Sequence, residues 1–511
     1  MPKLLSAAEL ETSRAQILAK RDPAKPCIEV CAGVTCDGMG SAAVAAAFVA
    51  EAARQKLDGK LEVRTTGCHK YCGKGPNVVV TPGDVRYFEV SPTDVPAIIA
   101  ATLKGEVVER HPNNGAKAVL MNKVPFFWYL FGSMALLVLA MQIISGILLA
   151  MHYKPDASLN AFGVPVAFAS VEYIMRDVPW GWLIRYIHST GASAFFIVIY
   201  LHMFRSMLYG SHRKPRERIW ILGMLIFLFL MSEAFFGYLL PWGQMSFWGA
   251  QVIVNLFSTI PYIGPDFALW LRGDYVVGDS TLNRFYALHV IAVPMMLVGL
   301  ARAHIIALHK VGSNNPDGVE SKSNRVSNGS PLDGIPFHSY FKLKDILWIV
   351  MFLLVFSVIV FFSPALGGYF LEFNNFFPAD PLKTPAHIAP VWYFTPYYSV
   401  LRAITYPLFG IEAKFWGALA MGAAVMLFFL LPWLDRSPVK SIRYRGPIYK
   451  TFLAMFVVAF LTLGYLGMLT PTPVRTLVGQ LCSLIYFAFF LGMPIYTRFD
   501  KCKPEPQRVT G

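Results

Sequence analysis

From Phe126 onward, apolar runs of roughly 20 residues recur, each about as long as a bilayer core is thick when helical. Eight of them stand out: 126–152, 183–208, 219–240, 284–308, 345–366, 415–434, 450–469 and 475–497. Inside hydrocarbon a chain must satisfy its own backbone hydrogen bonds, so runs of this length specify a bundle of transmembrane helices. Residues 1–110 differ in kind: they are charged and Ala-rich, and they hold five of the seven cysteines. The expected architecture is therefore an N-terminal α/β domain (1–110), a linker (111–124), an all-α membrane region (125–310 and 311–500) and a short tail (501–511).

Charge placement sets the expected orientation. The loop 209–218 carries Arg213, Lys214, Arg216 and Arg218; 309–344 carries Lys310, Lys322, Arg325, Lys342 and Lys344; 435–449 carries Arg436, Lys440, Arg443 and Arg445. The alternating loops 153–182 and 241–283 hold only Lys154, Arg176 and Arg272. By the positive-inside rule, both termini and the N-terminal domain face the cytoplasm, consistent with an even number of spans. The net charge of +14 is largely this bias and reads as no nucleic-acid footprint. The polar, amphipathic start MPKLLSAAELETSRAQILAKRD does not read as a signal peptide. A bacterial inner membrane is the expected location.

In the N-terminal domain, short β-type runs (CIEV, LEVRT, NVVV, VRYFEV) alternate with helical stretches at 41–57 and 93–104. Cys31 and Cys36, then Cys68 and Cys72, form two pairs; in a reducing compartment metal binding is favoured over disulfides. Thiolates suit zinc or iron–sulfur clusters, and buried structural cysteines are the plain alternative. CAGVTCDGMGS followed by CHKYCGKGPNVVV resembles the thioredoxin-like 2Fe-2S ferredoxins, including the small flavoprotein-associated subunit of respiratory complex I, over residues 27–105. That resemblance implies a thioredoxin-like fold with Cys31, Cys36, Cys68 and Cys72 as cluster ligands, leaves Cys27 over on the first strand, and implies one-electron transfer without a substrate pocket.

Histidines mark the membrane region. His188 and His202 stand fourteen residues apart in the second run, His289 and His304 fifteen apart in the fourth. Fourteen residues bring a helix to within about 40° of whole turns, so both imidazoles share a face roughly 21 Å apart along the axis. Fifteen overshoots by about 60°, which a kink at Pro294 can realign. Two helices with two facing histidines each build two bis-histidine haem sites stacked across the membrane. Gly132 and Gly146, and Gly223 and Gly237, repeat the fourteen-residue spacing. They admit a flat macrocycle against the backbone or serve ordinary small-residue helix packing. Arg185, Arg205 and Arg284 lie close by, suited to haem propionates or to snorkelling at the interface.

With GYLLPWGQMSFWGAQVIVNLFSTIPYIG (237–264) and HKVGSNNPDG (309–318), this constellation closely resembles cytochrome b of the cytochrome bc1 complex over residues 120–500. The resemblance implies a di-haem N-terminal four-helix bundle and a C-terminal domain with a quinol-site loop. His188 and His289 would hold the low-potential b haem near the periplasmic face, and His202 and His304 the high-potential one near the cytoplasm. It also implies a quinone-reducing site with His309, Ser313, Lys344 and Asp345, where His and Asp deliver protons and Lys and Ser hold carbonyls. Implied partners are a high-potential iron–sulfur (Rieske-type) subunit, a cytochrome c1-type subunit, membrane lipid, a quinone such as ubiquinone, and a second copy of the complex. The fifteen-residue spacing in the fourth run is the chloroplast-type value. Glu233, inside the third run, is a proton-path or structural group.

One departure matters. The family's quinol-oxidising loop reads Pro-Glu-Trp-Tyr; here HIAPVWYFTPYY (387–398) has Pro390, Val391, Trp392 and Tyr393. Valine accepts no proton, so either another group substitutes, with Tyr393, His387 or water as candidates, or quinol oxidation is impaired. Three functions follow. The first is a respiratory quinol–cytochrome c oxidoreductase subunit. The second is a quinone reductase fed from a soluble cytoplasmic donor through the 2Fe-2S domain. The third makes the N-terminal domain a redox sensor or assembly module. No G-x-G-x-x-G after a strand and no P-loop occurs. Cys482 and Cys502 are isolated.

Overall fold

The computed structural model describes residues 25–67, 75–81, 85–106, 108, 126–320 and 342–509. Contacts divide the chain into two compact units, one comprising 1–124, 320–343 and 508–511, the other 125–319 and 344–507.

In the first unit β1 (Cys27–Cys31), α1 (Ser41–Arg54) and β2 (Glu62–Thr66) form a βαβ unit with β1 and β2 parallel. β3 (Val78–Thr81), β4 (Val85–Tyr87) and α2 (Val95–Lys104) follow, β3 antiparallel to both β1 and β4. The sheet order β2-β1-β3-β4 is that of a thioredoxin-like α/β domain. Its core is made by the inward residues of the strands and one face of each helix: Ile28, Val30, Val78 and Val80 meet Val44, Phe48, Ile98 and Ile99. β1 is a central strand, and its residues are buried except for Glu29, which is half-buried and pairs with Arg64 of β2.

The second unit is all-helical, with eight helices long and apolar enough to cross a membrane, one for each apolar run of the sequence. In chain order they are α3 (Phe131–Ala150), α5 (Gly181–Tyr209), α6 (Glu217–Leu239), α9 (Asp279–Val311), α10 (Lys342–Phe362), α12 (Ala413–Leu434), α13 (Pro447–Gly467) and α14 (Pro473–Leu491). Shorter helices lie between them: α4 (Val166–Arg176), α7 (Gln244–Phe257), α8 (Gly264–Arg272), α11 (Thr395–Ala403) and, after α14, α15 (Met493–Phe499). Most exposed side chains of α10, Leu347, Val350, Leu354 and Val358 among them, are apolar, as befits a helix solvated by lipid.

Antiparallel pairs α3–α5 and α6–α9 carry the site. α9 is not continuous α-helix: residues Leu288–Ala292 form a π turn immediately before Val293 and Pro294. A π turn holds one residue more than an α turn, and Pro294 has no N–H to continue the ladder. The extra residue between His289 and His304 is therefore absorbed by a wider turn, where the sequence pointed to a proline kink.

On the face where α5 ends and α6 begins, buried polar groups lock the helix ends. Arg445 pairs with Asp435, His212 Nε2 lies 3.0 Å from Asp435 Oδ2, and Arg445 stacks over the Tyr449 ring at 3.8 Å. Burial alone would raise the Asp435 carboxyl, but Arg445 and His212 outweigh it and hold it well below the usual range. Gly210 ends α5 at φ 64°, and a Cβ there would sit 2.7 Å from the Lys440 carbonyl oxygen, so only glycine fits.

Candidate functional site

His188 and His202 project from α5, His289 and His304 from α9. The rings of His188 and His289 face each other with centroids 6.1 Å apart and planes at 90°; those of His202 and His304 are 6.4 Å apart at 64°. An imidazole nitrogen binds a first-row metal at about 2 Å, so two rings flanking one metal ion stand roughly 6 Å apart, centre to centre. Both pairs fit that requirement. His188 Nδ1 lies 3.0 Å from Ser145 Oγ, and His289 Nδ1 lies 3.0 Å from the Glu233 carbonyl oxygen and 3.1 Å from its Oε1. With Nδ1 occupied, each ring is oriented and its Nε2 left for a metal.

The four glycines lie opposite these four rings. A Cβ would stand 3.4 Å from His202 at Gly132, 3.1 Å from His188 at Gly146, 3.3 Å from His304 at Gly223 and 2.4 Å from His289 at Gly237. In α3–α5 a step of fourteen along one helix matches fourteen back along the other. In α6–α9 fourteen matches fifteen, the difference taken up by the π turn. Gly237, Gly146 and Gly223 thus admit an imidazole edge where a Cβ would crowd it, while at Gly132 the contact is an ordinary one.

The arginines divide. Arg185 lines the cavity that holds His188 and His289. The Arg205 guanidinium lies over the Tyr129 ring at 4.0 Å and donates to Ser211 Oγ at 3.1 Å. Arg284 is exposed and donates to the Trp270 carbonyl.

One cavity of about 270 Å³ runs from His188 and His289 to Val391 and Tyr393. Val391 is 4% exposed, packed in the apolar core of the unit. The loop around it is held by α5, the helix that also carries His188. The Tyr393 ring stacks on Phe196 at 3.9 Å, its carbonyl accepts from the Tyr200 hydroxyl at 2.6 Å, and Trp392 Nε1 donates to Ser193 Oγ at 3.0 Å. His387 Nε2 lies 3.0 Å from the Met468 carbonyl oxygen, which pins the start of the loop. The PWGQ stretch packs on 375–383: Ser246 N–H donates to Asn375 Oδ1 and Asp380 N–H to Gln244 Oε1, both at 2.8 Å.

Beside this loop sits a carboxylate that sequence reasoning missed. Glu372 is half-buried between the cavity-lining Leu371 and Asn375 and accepts a 2.8 Å hydrogen bond from the Tyr238 hydroxyl. Burial pushes its carboxyl up to about 7, with Tyr238 opposing. Burial, and next the Glu372 charge, push the Tyr393 hydroxyl up as well. The only available signal was a lone acid in the apolar stretch YFLEFNNFF (369–377).

The residues of the expected quinone-reducing site lie at the opposite helix ends. His309 is exposed in the last turn of α9, Ser313 follows with its carbonyl accepting from Arg216 Nη2 at 3.3 Å, and Asp345 begins α10 with Oδ2 3.4 Å from Ser133 Oγ of α3. Lys344 is half-buried beside it. Consecutive spans end and begin here, so these four share one side of the unit. In the first unit Cys31 and Cys36 are buried at 0% and 1% exposure, with Asn77 Nδ2 3.5 Å from Cys36 Sγ. Cys27 is buried on β1. Cys68 and Cys72 lie outside the described residues.

Comparison with known proteins agrees with this geometry. The family Cytochrome b/b6/petB matches residues 117–312, and Cytochrome b(C-terminal)/b6/petD matches 378–487. Cytochrome b of Allochromatium vinosum is 58% identical over 388 residues, 75% of this chain and 91% of its own length. Cytochrome b of Rhodospirillum rubrum is 46% identical over 75% of this chain and 89% of its own. Among solved structures, a hyperthermophilic respiratory Complex III chain is 39% identical with a TM-score of 0.66, covering 73% of this chain and 92% of that one. A thioredoxin-like [2Fe-2S] ferredoxin from Aquifex aeolicus is 34% identical over 17% of this chain and 93% of its own, with a TM-score of 0.16. Matched histidine pairs on antiparallel spans, both halves of the family, and relatives covered over about nine-tenths of their length lead to one conclusion: the chain belongs to the cytochrome b family.

Proposed function

We propose that this chain is the electron-transferring membrane subunit of a respiratory quinol–cytochrome c oxidoreductase, oxidising quinol in the cavity beside Val391 and Tyr393. The observation that carries the reading is the continuity of that cavity with the facing rings of His188 and His289. Haem fits both histidine pairs by ring separation and by the glycine cradles. Bound b haems would relay single electrons between the two faces of the membrane. Arg185, on the cavity wall, suits a propionate.

The chain's own residues prepare the quinol pocket. Tyr200, Ser193 and Phe196 fix the backbone and rings of residues 392–393, which holds the buried, apolar Val391 in the wall of the pocket. His309, Ser313, Lys344 and Asp345 serve quinone reduction on the opposite, cytoplasmic side, with His309 and Asp345 as proton donors. A Rieske-type iron–sulfur subunit and a cytochrome c1-type subunit complete the reaction within a dimeric complex. The N-terminal unit carries a 2Fe-2S cluster on Cys31, Cys36, Cys68 and Cys72, facing the cytoplasm. The burial of Cys31 and Cys36 suits that group. The alternative is a quinone reductase fed by a soluble donor through the 2Fe-2S domain, with quinol oxidation impaired by Val391; the half-buried Glu372 beside the same loop favours the first reading.

The test is quinol addition to the purified complex with the quinone-reducing site blocked, followed by b-haem absorbance. The expected result is haem reduction through the cavity side, abolished in His289→Leu. Haems that stay oxidised in the wild type would sink the reading.

A further inference from the structure

We propose that Glu372 is the proton acceptor for quinol in this cavity, doing from the neighbouring loop what no group at position 391 can do. The inference rests on the quinol-oxidation reading above and adds a residue to it.

Four observations support Glu372. It is flanked in sequence by Leu371 and Asn375, which line the cavity. Its carboxylate is fixed by the hydroxyl of Tyr238, another lining residue, at 2.8 Å. Its charge is felt by Tyr393, whose ring forms the wall next to Val391. Finally, it is half-buried and followed in sequence by the exposed Phe373 and Asn374, so a proton taken there has a way out. The titratable groups facing it are Tyr238 and Tyr393; among the described residues no cation is recorded as pairing with it. Glu233 also lines the cavity, but its Oε1 stands 3.1 Å from His289 Nδ1 and serves that ring. His387 is turned to the Met468 carbonyl.

The step balances as follows. Oxidation of quinol to quinone breaks two O–H bonds and releases two electrons and two protons. One electron and one proton leave to the high-potential iron–sulfur partner. A b haem held by His188 and His289 would take the other electron, and the other proton forms an O–H bond on the Glu372 carboxylate. The neutral acid then returns that proton to the aqueous phase. Burial poises the group for this: an acid with a value near 7 takes a proton in the pocket and gives it up at neutral pH.

The experiment uses the purified complex and a short-chain quinol, comparing wild type, Glu372→Gln, Glu372→Asp and the double variant Glu372→Gln with Val391→Glu. Readouts are the pH profile of quinol-driven cytochrome c reduction, quinol-site inhibitor binding, b-haem spectra, and the infrared difference band of a protonated carboxyl on reduction. The proposal expects about 100-fold loss in Glu372→Gln, loss of the inflection near neutral pH, and loss of the carboxyl band. It expects inhibitor binding and haem spectra to be kept, and rate to return in Glu372→Asp and in the double variant. If Glu372→Gln perturbs inhibitor binding, recovery in the double variant still supports the proton role, and its absence overturns it. A wild type that turns over, matched in rate, pH profile and carboxyl band by Glu372→Gln, overturns the proposal alone. A wild type that cannot oxidise quinol overturns the functional reading and the proposal with it.

Discussion

Gly237 presents its bare Cα to the ring of His289: a Cβ there would stand 2.4 Å from Cε1, closer than side chains approach one another. This is the tightest of four glycine–imidazole contacts, and it falls on the pair whose spacing needs a π turn. The contacts rank the cost of adding a methyl group.

Gly237→Ala should therefore be the most damaging of four alanine substitutions. It should lower haem retention at the His188–His289 pair by about 10-fold, the usual scale for disturbing a ligand's support. Gly146→Ala should follow, then Gly223→Ala, with Gly132→Ala nearly silent at an ordinary 3.4 Å contact. Haem content and redox-difference spectra of the four purified variants check the order.

A second prediction concerns the buried polar lock. Asp435→Asn leaves Arg445, 1% exposed, as an uncompensated buried cation and should cost about 3–5 kcal/mol. The wild-type carboxyl is held below its usual range by Arg445 and His212. Its contribution to stability is accordingly complete above about pH 4, the ordinary aspartate value, and is lost as pH falls through the depressed one. Asp435→Asn should be destabilised at neutral pH and should lose this acid-side dependence. Thermal unfolding in detergent across pH measures both.

Removing one hydrogen bond tests the loop. Tyr200→Phe frees the Tyr393 carbonyl from its 2.6 Å partner and should weaken the pocket by about 1 kcal/mol. Quinol affinity should fall several-fold while both b-haem spectra persist. Ser193→Ala, which releases Trp392, should act in the same direction. Inhibitor titration against the haem signal separates this from a general loss of fold.

In the N-terminal unit, Cys31→Ser and Cys36→Ser should each abolish the visible and paramagnetic signals of the cluster without altering the b haems. Retention of a full cluster signal in both variants would exclude these thiols as ligands.

The histidine pairs, the glycine spacing and all eight spans were legible in the sequence because each expresses helical periodicity within one apolar run. The strands of the first unit were legible by a different signal, as short β-branched runs between helices. What escaped depends on other physics. The π turn at Leu288–Ala292 is a shift in backbone hydrogen bonding, which leaves the apolar pattern unchanged. Glu372 belongs to an irregular stretch between α10 and α11, and only the approach of Tyr238 and Tyr393 gives it a role. Arg284 read as a partner for a propionate or as a snorkelling interfacial arginine; that its Nη1 donates to the Trp270 carbonyl is a tertiary contact with no sequence signal.

The most direct measurement is steady-state reduction of cytochrome c by quinol in the purified complex, wild type against Val391→Glu, with and without a quinol-site inhibitor. The account predicts inhibitor-sensitive turnover in the wild type and little gain from the added carboxylate, because Glu372 already serves the pocket. Negligible wild-type turnover, restored by glutamate at 391, would contradict it and make the cytoplasmic cluster the point of electron entry.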